Sequence, residues 1–185
     1  LTCINRLIGS GRFGTTNGAA MRITPVGIAS DVTDEQQFVE SVIQACQVTH
    51  NTTLGISSAA AVAAVVSAGI NGVSLGHALD IGARVAKRAE GHGHWIAGAR
   101  ISARIHWAKR LCADVSNEQL STLIYDVIGT SVASQESVIA AFAFAHQVAS
   151  GQLTAFDALC MAASLGGDTD TIAAILGAML GACDG

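Results

Sequence analysis

An all-α fold is what this sequence predicts, and three observations predict it. Half of the 185 residues are hydrophobic, supplied mostly by alanine, valine, isoleucine and leucine, and alanine is the strongest helix former. A single proline, Pro25, leaves almost the whole length free of the residue that breaks helices. No stretch shows the apolar–polar alternation of a half-buried strand, whereas apolar positions recur at helical spacing. The length suffices for one domain with a full core, expected over residues 1–185.

The elements follow in order. Residues 1–28 are rich in glycine and small polar residues, including Gly9, Gly11, Gly14, Asn17 and Gly18, and read as a short helix and then a loop. Residues 30–34 offer N-cap candidates, and Thr33 with Gln36 has capping-box spacing. Phe38, Val39, Val42, Ile43 and Cys46 then mark the inner face of a helix ending near His50. A second helix over residues 54–68 is apolar nearly all round and therefore central. Gly69, Asn71 and Gly72 stop it, and Ser74 caps a third through about Arg88, with Lys87, Arg88 and Glu90 facing water. The run Gly91-His92-Gly93-His94 is a loop. A fourth helix is expected over residues 97–112, with Arg100, Arg104, Lys109 and Arg110 on its polar side. Ser116 and Gln119 form a second capping-box pair and open a helix to about Ile128. After a loop at 129–134, helices are expected over residues 135–149, 155–164 (capped by Thr154) and 170–183.

Composition excludes some functions. A net charge of −4 leaves no basic footprint for nucleic acid. Five cysteines, an odd number with no CxxC pair, read as reduced thiols of a cytoplasmic protein. No signal peptide is visible. Uncharged residues 51–76 are long enough to span a membrane, but Asn51, Ser57, Ser58, Ser67 and Asn71 make a buried core helix the better reading. The chain starts at Leu1 and stops within two residues of an apolar helix, so it reads as a fragment or processed chain.

Two constellations carry candidate chemistry. In Gly166-Gly167-Asp168-Thr169-Asp170-Thr171, the glycines permit a tight turn. Asp168, Asp170 and the Thr171 hydroxyl are hard oxygen donors that suit Mg²⁺ or Mn²⁺. Either aspartate equally fits a helix cap. In Thr15-Thr16-Asn17-Gly18-Ala19-Ala20-Met21-Arg22, small residues either expose backbone N–H groups as a phosphate-binding nest or form a turn at Asn-Gly. His50 stands at a helix end, where a lone histidine usually caps carbonyls or packs. His92 and His94 have no cysteine or further histidine nearby to complete a zinc site.

Together, residues 16–27, Val48-Thr49-His50, residues 134–138 and residues 166–182 resemble the ADP-ribosylglycohydrolase family, with its dinitrogenase reductase-activating glycohydrolases. GGDTDTIAA is the most specific segment and NGAAMR the next. The resemblance implies an all-α fold and a binuclear Mg²⁺ or Mn²⁺ centre that cleaves ADP-ribose from a protein side chain or small acceptor. It implies that Asp168, Asp170 and Thr171 are metal ligands, the two aspartates acting in catalysis through the metals. Asn17, Gly18 and Met21 would lie along the ADP-ribose, and His50 would contact substrate. The family takes its remaining ligands from an earlier Thr-Asp-Asp segment that this sequence does not contain; Thr33-Asp34-Glu35 follows the NGAAMR loop instead of preceding it. A preceding segment or a second chain is therefore expected to complete the site. A silent ADP-ribose-binding homologue and a purely structural helical module are the alternatives.

Overall fold

The computed structural model describes residues 11–184. The expected short helix at the start of the chain lies outside the described residues. Nine α-helices run in order among the described residues: α1 Thr24–Ala29, α2 Glu35–Cys46, α3 Thr53–Ile70, α4 Leu75–Ala89, α5 Ile101–Leu111, α6 Asn117–Leu123, α7 Ser134–Ala149, α8 Ala155–Ser164 and α9 Thr169–Asp184. A 3-10 turn, Ala20–Arg22, precedes α1, and a π turn, Ile124–Ile128, follows α6. No strand occurs among them, only the isolated bridges Thr16–Ala133 and Thr52–His94.

The central element is α3, buried without interruption from Leu54 to Gly69. By length and composition it is able to cross a membrane, yet 89% of it is buried inside the domain. α1, α4, α7 and α9 all pack on it. Alanine and glycine let these helices approach closely. A side chain at Gly27 would meet the Ala63 carbonyl oxygen, and one at Gly82 would meet Val65 and the Ala61 carbonyl oxygen. α9 is central along one face only: Ile172, Ile175, Leu176 and Met179 are buried, while Ala174 and Gly181 are exposed.

Several local expectations are corrected. The glycine-rich lead-in is not all loop, because Pro25 in the first turn, where its missing N–H costs nothing, starts α1. The α2 cap is Asp34, whose carboxylate accepts from Gln37 N–H, in place of the Thr33–Gln36 pair. Ser74 precedes α4 but bonds the His77 ring and not the helix N–H groups. Glu90 turns inward, accepting from both N–H and hydroxyl of Ser102 (3.1 and 2.6 Å) in the first turn of α5, where a carboxylate complements the helix dipole. That helix starts four residues later than expected because Gly98 packs on the Gln135 amide, which also bonds the Ala99 carbonyl. The helix opened by the Ser116–Gln119 box widens at Ile124 into the π turn, closed by Gly129 N–H on Ile124 O at 2.8 Å. The box itself and the Thr154 cap form as expected.

Candidate functional site

Gly166 and Gly167 both adopt positive φ, +96° and +78°. This conformation costs a glycine nothing, and it brings Asp168 to the start of α9. The Asp168 N–H donates to Thr130 O at 2.7 Å, and its carbonyl accepts the first α9 bond, from Ile172 N–H. Its carboxylate reaches across the fold: Asn17 Nδ2 donates to Asp168 Oδ2 at 2.5 Å and to Ser137 Oγ at 2.8 Å. Among the described residues, the Asp168 side chain bonds Asn17. Asn17 itself is 4% exposed. Beyond Asp168, Asp170 is exposed and Thr171 is buried.

The Asn17 segment is anchored through its backbone. Asn17 N–H donates to Val132 O at 2.8 Å, Ser134 N–H to Thr15 O at 3.1 Å, and Ser134 Oγ to Thr16 O at 2.8 Å. Because the Asn17 and Met21 N–H groups are engaged, the latter on Asn17 O, neither is left to an anion-binding nest. Ala19 and Ala20 are buried, while Met21 is 51% exposed beside them.

His50 lies beneath this loop. Its Nε2 shares a 2.8 Å hydrogen bond with Thr16 Oγ1 and its Nδ1 another with Thr49 Oγ1. Arg22 donates to the same Thr49 hydroxyl at 2.6 Å. Burial, with a smaller contribution from the Arg22 charge, lowers the His50 pKa. Gly18 passes directly over the ring, too close for a side chain without displacement. The structure thus brings Asn17, Gly18, His50 and Asp168 into one neighbourhood, from positions up to 151 residues apart.

Sequence reasoning gave no role to three further residues. Thr130 supplies the carbonyl for Asp168 and packs against Gly167. Ser137 receives the Asn17 amide. Tyr125, on the π turn, lays a 54% exposed ring against Gly166. Of these, only Ser137 fell in a segment carrying the family resemblance.

The donors present suit a hard cation, with two carboxylates and a hydroxyl within four residues. They are also few: among the described residues no three His, Cys, Asp or Glu side chains gather as a metal-binding group. His94 uses its backbone, bonding Asn51 O and receiving Thr53 N–H. A hollow of ≈540 Å³ lies elsewhere, between Ser74, His77, Asp80 and Lys109.

An all-helical domain that sets an asparagine loop against a Gly-Gly-Asp helix start defines a class of protein, and comparison with known sequences identifies it. The ADP-ribosylglycohydrolase family model matches residues 4–185, and the chain belongs to that family. It is 33% identical over 173 residues to the uncharacterized protein YegU of Escherichia coli K12, covering 93% of this chain and 51% of that protein. To human ADP-ribosylhydrolase ARH3 it is 30% identical over 201 residues, covering 94% of this chain and 51% of that enzyme. An uncharacterized protein of Archaeoglobus fulgidus is 29% identical, with the same 51% of its length covered. The chain spans about half the length of the curated relatives it matches.

Proposed function

We propose that this chain carries part of the active site of a hydrolase that cleaves the glycosidic bond between ADP-ribose and a protein side chain or small acceptor. The observation that supports this most is the 2.5 Å contact of Asn17 with Asp168, which unites the two most specific family segments. Asp168, Asp170 and Thr171 would hold Mg²⁺ or Mn²⁺, to which hard oxygen ligands are matched. When bound, such ions supply positive charge that orients ribose and diphosphate oxygens and activates a water. Asn17 fixes one Asp168 oxygen, leaving the other carboxylate oxygen and the exposed Asp170 to face the ligand. Gly18 would let the substrate approach the backbone, Met21 would offer an apolar edge, and His50 would support the loop from below and contact substrate. The remaining ligands would come from a preceding segment of the same protein or a second chain.

A second reading, an ADP-ribose binder without turnover, is favoured for this chain alone by the sparse ligand set among the described residues. Metal-dependent ADP-ribose release from an ADP-ribosylated protein separates the two. In the complete protein Asp170→Asn is expected to abolish release while changing stability by no more than about 0.5 kcal/mol, as for most exposed substitutions. Full turnover by that variant would remove the catalytic assignment. Calorimetric titration of Mg²⁺ and Mn²⁺ into the 185-residue chain is expected to show weak binding; tight binding would show that these three donors need no others.

A further inference from the structure

The loop at residues 129–133 touches both halves of the candidate site. Its Thr130 carbonyl takes the Asp168 N–H and its Val132 carbonyl takes the Asn17 N–H. The distance between Asn17 and Asp168 therefore depends on the shape of this loop, which has no regular structure of its own. Both of its ends are held by one side chain from another helix. Arg104 on α5 donates Nε–H to Gln135 O at 2.8 Å and an Nη2 proton to Ile128 O at 3.0 Å. Ile128 is the last residue of the π turn and Gln135 lies in the first turn of α7, so the guanidinium spans the mouth of the loop.

The surroundings fix this fork in place. The guanidinium carbon stands 4.8 Å from the Trp107 ring centroid, a stacking arrangement that suits its flat, delocalised charge. Glu136, one residue beyond Gln135, accepts Ser131 N–H at 3.0 Å and so clasps the loop from inside. Among the described residues both hydrogen bonds made by Arg104 go to main-chain carbonyls and neither to a carboxylate. A charged group committed to two backbone oxygens at the two ends of one loop constrains geometry, and a guanidinium does so with a rigid planar fork that a lysine lacks.

We propose that Arg104 is a positioning residue for the candidate site, stapling the ends of the 129–133 loop so that Thr130 and Val132 present Asp168 and Asn17 to one ligand. The inference rests on the functional reading above for the identity of that ligand, ADP-ribose, but not for the staple itself. Two variants of the 185-residue chain test it. Arg104→Lys keeps the charge and most of the stem but has a single nitrogen; Arg104→Met keeps only the stem. Amide hydrogen exchange by NMR reads the staple, and ADP-ribose titration reads its consequence.

Exchange at Asp168 and Asn17 is expected to rise tenfold or more in both variants, with the α3 amides of Val62 and Val65 staying within twofold of the parent. The dissociation constant for ADP-ribose is expected to rise at least fivefold. If Arg104→Met also loses α3 protection it has unfolded, and Arg104→Lys decides. Parental exchange at Asp168 and Asn17 in a folded variant overturns the proposal. So does loss of α3 protection in both variants, which would make Arg104 a general folding residue. If neither the parent chain nor the complete protein binds ADP-ribose, the functional reading fails while the exchange measurement still judges the staple.

Discussion

The amide nitrogen of Asn17 serves two acceptors, Ser137 Oγ and Asp168 Oδ2, so this one residue couples α7, α9 and the loop before the 3-10 turn. Its effect depends on Asp168 arriving in the right place, and that depends on Gly167. A methyl group on Gly167 would run into the Thr130 hydroxyl and carbonyl, and φ there is +78°. Gly167→Ala is therefore expected to cost on the order of 1–3 kcal/mol in urea unfolding, the usual range for a residue forced into such backbone, and to detach Asp168 N–H from Thr130. Gly151 has a similar φ, +76°, with open space around it. Gly151→Ala is the control: it pays the conformational cost alone, about 1 kcal/mol, and leaves ADP-ribose binding unchanged. Equal losses of stability and binding in the two variants would show that the Thr130 contact is unimportant. The comparison also shows what the sequence could convey. Asn17, Asp168 and the paired glycines are singled out because their segments resemble the family's; the residues alone leave Asn17 as a turn and Asp168 as either a helix cap or a metal ligand. The contributions of Thr130 and Val132 were not legible, because both act through main-chain carbonyls, which every residue possesses.

Helices were legible wherever small and apolar residues repeat at helical spacing, as in α3 and α7, and misplaced wherever a tertiary contact sets the boundary. The start of α5 is decided by Gln135 gripping Ala99, and the end of α6 by the π turn; neither has a local signature. Local signals did prevail where side chain and backbone meet within four residues, as in the Ser116–Gln119 box and the Thr154 cap. Between α3 and α4 the fold relies on the absence of a side chain. A Cβ at Gly82 would stand 2.7 Å from Val65 Cγ2 and 2.9 Å from the Ala61 carbonyl oxygen. Two effects oppose in Gly82→Ala: the gain in helix propensity, at most about 1 kcal/mol, and overpacking of a full interior, about 1–3 kcal/mol. The second wins because one of the clashing atoms is backbone and cannot turn away. Denaturant unfolding is expected to show net destabilisation of about 1–2 kcal/mol; a more stable Gly82→Ala would mean that the helices separate freely and that close approach contributes little.

At the scale of the whole molecule the interior of the described residues is mainly apolar, and the polar side chains buried in it are nearly all satisfied. Ser57, Ser58 and Ser134 bond to backbone or to one another, and the buried thiols Cys46 and Cys112 have pKa values raised by burial to about 12 and about 11, so they stay neutral. Among the described residues one buried side-chain atom lacks a partner, His146 Nε2 near the end of α7. Burial is the main reason its pKa falls to about 4; the Lys109 and His106 charges push the same way, and Asp80 opposes them. A histidine whose folded pKa lies below the ordinary value of about 6.5 binds its proton more readily when unfolded. Its contribution is thus fully present above about pH 6.5 and is lost as pH falls toward 4. A gap of about 2.5 units corresponds to about 3 kcal/mol once both states are protonated, a large part of the roughly 5–15 kcal/mol that holds a domain folded. His146→Leu removes the proton site and also the unpaired nitrogen, so at pH 7.5 it is expected to be as stable as the parent or slightly more so. At pH 4.5 the variant should exceed the parent by about 2–3 kcal/mol. His50, also lowered by burial, leaves some acid sensitivity in both proteins, so the quantity to read is their difference across the two pH values. Urea unfolding of both proteins at each pH measures it, and a difference independent of pH would mean that His146 is protonated in the folded protein as readily as in the unfolded one.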